Sequence, residues 1–309
     1  MDNSTSTATI DPPLRLGLAM WSQNQWQQTV YGNSQAHRLA HRLAHRLARY
    51  AEIFNTVEGN TTFYATPSLQ NVQNWYAATH DEFKFTFKLP KHITHELQLQ
   101  HAGPALQQFF SIMEPLINRT GVWKIQLPAS FGPQSLPQLA QFLTQVPQGL
   151  TYGVEVRNSA FFAKGEAEQA LNRLLIDNNC NRIIMDTRPV FAAAPTTAAV
   201  IDTHQKKPKV PVHAISTAHN PVVRFIGHPQ AEANIHFFQN WLKQLPLWIA
   251  QNKQPYLFIH TPDNHNAPQL AVDLYRLLQQ QLAQSTSALA DINLLPQQQH
   301  TTTQMGFDL

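Results

Sequence analysis

Short runs rich in Val, Ile, Phe and Leu recur along the chain, each followed by polar loop residues. Between them lie stretches whose apolar positions repeat at helical spacing. Eight of the runs read as strands: Leu14–Met20, Phe54–Glu58, Phe83–Lys88, Val122–Leu127, Tyr152–Val156, Arg182–Asp186, Val222–Ile226 and Tyr256–His260. Strand and helix alternate throughout, which argues for a parallel sheet. Eight units favour closure into a (β/α)8 barrel of the TIM type over an open doubly wound sheet. No Gly-rich dinucleotide fingerprint follows any strand, which weakens the open sheet further. Helix signals agree. Ser68 can cap a helix carrying Val72, Trp75 and Tyr76, and Ser135 with Pro137 can open one carrying Leu139, Phe142 and Leu143. Leu270, Leu274, Leu277 and Leu278 share one helical face.

Three stretches stand outside the barrel units. His37–Ala48 is three identical copies of His-Arg-Leu-Ala, which reads as a tandem duplication lengthening a surface helix. The i, i+4 spacing of His37, His41 and His45 also suits a metal, the less favoured reading. The connection Thr187–Pro221 is long, follows a strand and carries Lys206, Lys207 and Lys209, so it should lie over the barrel mouth. A solvated basic loop is the plain alternative. The expected organisation is a disordered segment over 1–13, the barrel over 14–284 and a flexible Ser/Gln/Thr-rich tail over 285–309.

Composition narrows the class. The chain of 309 residues is 43% hydrophobic, enough for one sizeable core, and only 13% charged. A net charge of +3 is compatible with an anionic ligand without implying nucleic acid. One cysteine, Cys180, excludes an intramolecular disulfide framework. The first residues have no apolar signal core, and no apolar run approaches the roughly 20 residues of a membrane helix. These features lead to the expectation of a cytoplasmic protein.

Because charges are scarce, their positions carry information. In the third strand Phe83, Phe85 and Phe87 share a face that belongs against helices, which leaves Lys84, Thr86 and Lys88 facing the lumen. The same parity turns Thr56 and Glu58 inward on strand two and Lys124 and Gln126 inward on strand four. Strand five adds Glu155 with Arg157 above it, strand six Asp186 with Arg188 beyond, strand seven Arg224 and strand eight His260. At least six of the eight strands therefore end in an ionisable group. The carboxyl ends of the strands are the catalytic face of such barrels.

This pattern marks a functional mouth, or a lattice of salt bridges closing the barrel top, and the two are not exclusive. Candidate catalytic groups are Glu58, Lys88, Glu155 and Asp186. Glu58 and Glu155 could act as acid and base if their surroundings drive their pKa values apart. Lys88 could form a Schiff base only if its own pKa is depressed, its ordinary role being to pair a carboxylate. Arg157 and Arg224 are forked donors suited to carboxylate or phosphate, and Asn60, Tyr64, Gln126 and His260 complete the candidate substrate-binding set. The carboxylates with His228 and His260 could hold a divalent metal, but Lys and Arg compete for the same oxygens and no tight ligand spacing occurs at a strand end. No metal is assigned, and the cofactor is unknown.

Thr56-Val57-Glu58-Gly59-Asn60-Thr61-Thr62-Phe63-Tyr64, then Phe83-Lys84-Phe85 through Lys88 to Ile93-Thr94-His95, resemble the hallmark of the YecE-like family, known as domain of unknown function 72. The resemblance continues through Gln126-Leu127-Pro128, Val154-Glu155-Val156-Arg157, Arg182-Ile183-Ile184-Met185-Asp186, Val223-Arg224-Phe225-Ile226-Gly227 and Phe258-Ile259-His260-Thr261-Pro262-Asp263. It covers roughly residues 14 to 280 in order and is closest to the enterobacterial YecE branch. It implies a TIM-type barrel and no particular activity. Likeness of such barrels to endonuclease-IV-type and sugar-isomerase barrels suggests nucleic-acid or sugar-phosphate ligands by analogy alone. Ile226 stands where many members have His, and His260-Thr261 where many carry paired Asn, so roles at those positions do not transfer.

The chain ends Gln304-Met305-Gly306-Phe307-Asp308-Leu309. This resembles the peptide by which bacterial polymerases and repair proteins dock on the DNA sliding clamp, with Gln304 for a polar pocket and Met305, Phe307 and Leu309 for an apolar groove. A Gln-rich tail can also produce such a match by chance. The leading expectation is a barrel that binds or acts on an anionic, phosphate-bearing ligand, DNA-associated if the tail motif is real. The alternatives are a sugar-phosphate isomerase or lyase without a DNA role, and a non-catalytic adaptor.

Overall fold

A computed structural model describes residues 11–32, 39–283 and 289–294. The C-terminal hexapeptide and His37 lie outside the described residues, as do residues 1–10 of the N-terminal segment. The strands are β1 Arg15–Leu18, β2 Thr56–Gly59, β3 Lys84–Lys88, β4 Thr120–Gln126, β5 Tyr152–Glu155, β6 Asn181–Asp186, β7 Val222–Ile226 and β8 Tyr256–His260. The helices are α1 Leu39–Ala51, α2 Thr61–Tyr64, α3 Leu69–Ala77, α4 Gly103–Met113, α5 Leu136–Gln145, α6 Glu166–Asp177, α7 Arg188–Ala192, α8 Ala198–Lys206, α9 Ala233–Ala250 and α10 Ala267–Leu282. Each strand from β2 to β8 pairs in parallel with the next, and β8 pairs with β1. The eight expected strands and the barrel are thus present.

Two buried layers follow from the strand alternation. Facing outward, Phe83, Phe85 and Phe87 run into Trp123, Phe109 and Phe110 in the main core between strands and helices. The Phe85 and Phe87 rings stack 5.2 Å apart. Facing inward, Val122, Ile183, Val222, Tyr256 and Phe258 plug the lower lumen. A register shift between Phe85 and Thr86 marks a bulge against β4, which leaves Lys124 and Gln126 on the lumen side. Ser68 caps α3 by accepting a hydrogen bond from Asn71 N, as its position predicts. Ser135 precedes α5 but makes no such bond.

β1 and β2 are the two ends of the ladder, and side chains close the gap between them. Asn55 accepts from Leu16 N at 2.8 Å and donates to Leu14 O at 3.0 Å. Tyr50 Oη accepts from Leu18 N at 2.7 Å and donates to Thr56 O at 3.0 Å. Asn60 Nδ2 donates to Ala19 O at 2.8 Å. The strands approach so closely here that a Cβ on Gly17 would lie 2.2 Å from Thr56 O, a contact only glycine avoids. Tyr50 comes from α1, whose last repeat also buries Arg46 and Leu47. The duplicated segment is therefore not wholly a surface helix: its carboxyl end packs into the barrel wall.

Two further expectations change in detail. The connection after β6 is not a bare loop, because it holds α7 and α8. Residues 289–294, assigned to the tail by composition, lie along α10: Leu289, Ile292 and Leu294 pack on the core and Tyr275 Oη donates to Ala290 O at 2.9 Å. Among the described residues, no helix is long and apolar enough to cross a membrane.

The seam is directly testable. Tyr50→Phe leaves the buried Leu18 N and Thr56 O without their partner, and should lower stability by about 1–3 kcal/mol in urea denaturation. An unchanged midpoint would mean that the phenol does not hold the seam.

Candidate functional site

Glu58 stands at the centre of the upper lumen and is completely buried. Arg224, reaching across from β7, donates from Nε to Glu58 Oε2 at 2.8 Å and places Nη2 2.7 Å from Oε1. Its remaining nitrogen, Nη1, donates to Glu155 Oε2 at 2.6 Å. One guanidinium therefore bridges two carboxylates. Lys124 Nζ lies 3.0 Å from Glu58 Oε2 and 5.2 Å from the Phe258 ring. His260 Nε2 lies 3.5 Å from the same oxygen. Arg157 donates to the other oxygen of Glu155 from Nε and Nη2, at 3.1 and 2.9 Å. Lys88 Nζ donates to Gln126 Oε1 at 2.8 Å and stays 3.8 Å from Glu58.

These contacts decide the protonation states. Burial would raise both carboxyl pKa values, but Arg224 with Lys124 for Glu58, and with Arg157 for Glu155, outweighs it and holds both low. They are therefore not driven apart into an acid and a base. The lysines move down instead. Burial and then Arg224 press Lys88 well below the usual lysine range, and burial brings Lys124 to about 8 against the pull of Glu58. Burial pushes His260 down to about 3, overcoming Glu58, so its imidazole is neutral at pH 7.

Above the cluster opens a cavity of about 950 Å³. Glu58, Lys88, Arg224 and His260 line its base, and Trp21, Trp75 and Tyr64 one wall. The α8 end adds Asp202, Thr203, Lys206 and Lys207 to the lining. The long basic connection thus lies over the mouth, as its position after β6 predicts. Arg157 Nη1 ties it down through Lys206 O at 3.4 Å. Burial and Arg224 bring Lys207 to about 8.

Nine of the ten candidate mouth residues gather here, with Asn60 and Tyr64 on the cavity wall and Tyr64 81% exposed at the rim. Asp186 does not join them. It accepts from Arg188 Nε and Nη2 at 2.9 and 2.7 Å and from Trp241 Nε1 of α9 at 2.8 Å, on the helix side of β6. Ile183 occupies the lumen, so residues 182, 184 and 186 face outward. The run Ile183-Ile184-Met185 is buried on both faces and hides its parity.

Lys124, Lys207, Trp21 and Trp75 are additions to the candidate set. Lys124 was readable by parity but sits below the strand end. Trp21 comes shortly after β1 ends at Leu18, in a connection at the carboxyl end of the strand. Among the described residues, no three His, Cys, Asp or Glu side chains are grouped to hold a metal. His228 is turned to its own loop, its Nδ1 accepting from Gln230 N.

The neutral His260 has a consequence for acid stability. The unfolded imidazole takes up a proton near pH 6.5 and the folded one only near pH 3. Falling pH therefore removes stability across that window, at up to about 1.4 kcal/mol per pH unit. His260→Gln should flatten the slope of unfolding free energy between pH 6.5 and 5 by that amount. Equal slopes for both proteins would contradict a buried neutral imidazole.

Comparison with known proteins places this geometry in a family. Residues 15–294 match the family described as "Protein of unknown function DUF72". The chain is 44% identical over 283 residues to the UPF0759 protein YecE of Escherichia coli, covering 92% of this chain and 97% of that protein. A DUF72 family protein from Enterococcus faecalis V583 superposes with a TM-score of 0.64 at 20% identity, covering 86% of this chain and 97% of the other. One from Thermotoga maritima MSB8 gives the same TM-score and identity, over 86% and 98%. With the family's sequence signature across most of its length and a barrel in common with these structures, the chain belongs to the DUF72 family.

Proposed function

We propose that the mouth binds a small phosphate-bearing metabolite, with the phosphate among the cations at the cavity base and a planar or apolar part against Trp21, Trp75 and Tyr64. One observation carries this reading: the positive charge gathered there exceeds the negative. Glu58 and Glu155 balance Arg224 and Arg157, and Lys124 and Lys207, each brought by burial only to about 8, add positive charge at pH 7 beyond that balance. A salt-bridge lattice that only closed the barrel would need no such surplus. A dianion supplies the missing charge, and guanidinium forks suit its oxygens.

The roofed cavity favours a metabolite over a nucleic acid strand. Docking of Gln304, Met305, Phe307 and Leu309 on a DNA sliding clamp is a separate proposal, tested by comparing clamp binding of the full chain with one lacking those six residues.

Calorimetry with inorganic phosphate, ribose 5-phosphate and ribose tests the main reading. The phosphorylated sugar should bind at least about tenfold more tightly than ribose, and Lys207→Ala should weaken it by about tenfold. Affinity should fall as pH rises through about 8, where Lys124 and Lys207 lose their protons. Equal binding of ribose and its phosphate, or none of either, overturns the proposal. Salt-sensitive binding of a single-stranded oligonucleotide alone would reassign the cations to nucleic acid.

A further inference from the structure

The lysines of the mouth are not equivalent. Lys124 is sealed from solvent against Glu58, and Lys206 pairs with Asp202 at 2.6 Å. Lys88 has no carboxylate of its own. Both oxygens of Glu58 are already engaged by Arg224, with Lys124 on one of them, and Lys88 turns to the neutral carbonyl of Gln126. One flank of its Nζ faces the Phe63 ring at 5.5 Å. Arg224 and Lys124 lie near it as well as Glu58 and Glu155, and it lines the cavity at the end of β3. A buried lysine that reaches a binding cavity with no carboxylate within hydrogen-bonding distance is less well held as an ammonium ion than a directly paired one, the Phe63 ring face offsetting only part of that loss.

We propose that Lys88 is a nucleophile that captures the carbonyl group of a phosphorylated aldehyde or ketone as an imine. The inference rests on the anion-binding reading for its choice of substrate, while the capture itself rests on the environment of Nζ. In the first step the lone pair of the neutral Nζ adds to the carbonyl carbon. The C=O π pair moves to oxygen, which takes the proton released by nitrogen, giving a carbinolamine. In the second step the Lys207 ammonium on the cavity ceiling gives a proton to the carbinolamine hydroxyl. The C–O bond breaks, water leaves, and the nitrogen lone pair forms the C=N bond of a protonated imine, with Lys207 left as the free amine. No oxidant, reductant or metal is required. Glu58 and Glu155, held ionised by Arg224, offset the new cation. His260, neutral beside them, contributes no competing acid. The depressed pKa of Lys88 agrees with the geometry.

Reductive trapping tests the proposal. The full-length protein is incubated at neutral pH with dihydroxyacetone phosphate and sodium cyanoborohydride, then digested and mapped by mass spectrometry. The expected result is a single reduced adduct on the peptide containing Lys88, lost in Lys88→Met and much weaker with unphosphorylated dihydroxyacetone. Because the wild-type digest locates the adduct by itself, a poorly folded Lys88→Met protein does not weaken the test. Adduct spread over surface lysines, or absent from the Lys88 peptide, overturns the proposal.

Calorimetry with glycerol 3-phosphate, which has no carbonyl, separates the two readings. Binding without any adduct removes the imine and keeps the anion site. An equal adduct from both dihydroxyacetones keeps the nucleophile and removes the phosphate preference. Neither binding nor adduct removes both.

Discussion

A guanidinium sealed inside a barrel is tolerable only because two carboxylates meet it, and the upper half of this molecule is arranged around that requirement. Stripping Arg224 of water would cost several kcal/mol without partners. Glu58 and Glu155 meet all three of its nitrogens from β2 and β5. The same arrangement makes the remaining cations conspicuous. Once Arg224 has engaged the carboxylates, Lys124 and Arg157 share what is left, and Lys88 turns to Gln126. Stability alone favours pairing each of these charges, and the cluster stops short of that.

The layering above and below carries this further. The plug of Val122, Ile183, Val222, Tyr256 and Phe258 keeps water from reaching the cluster from beneath. A dry floor strengthens every interaction above it. The α8 end, contacted by Arg157 through Lys206 O, lines the cavity above. Arg157 thus touches both Glu155 and the α8 end.

Much of this was legible in the sequence, and the reasons differ by element. In β3 the alternation of Phe with Lys or Thr leaves no doubt about which face is inside, because one face is wholly aromatic. Glu58, Lys88, Glu155 and Arg224 could therefore be assigned to one place from strand parity alone. In β6 the alternation disappears, since Ile183, Ile184 and Met185 are buried on both sides, and Asp186 was assigned to the wrong face. Lys207 belongs to a connection whose path depends on how α7 and α8 fold back, and no local pattern encodes that. The roles of Tyr50 and Asn55 were also hidden, because their partners are backbone atoms of a strand 32 and 39 residues away.

That seam bears on how the chain could have acquired its three His-Arg-Leu-Ala copies. Everywhere else around the barrel, strands are registered by backbone ladders, where one inserted residue would turn a whole face inside out. Between β1 and β2 the fit depends on a few side chains near the carboxyl end of α1 and just after it. A helix extended by whole repeats at its amino end leaves the spacing of Tyr50 and Asn55 from β2 unchanged. The join that lacks a ladder is thus the one across which the gene could lengthen by copying itself and still encode the same barrel.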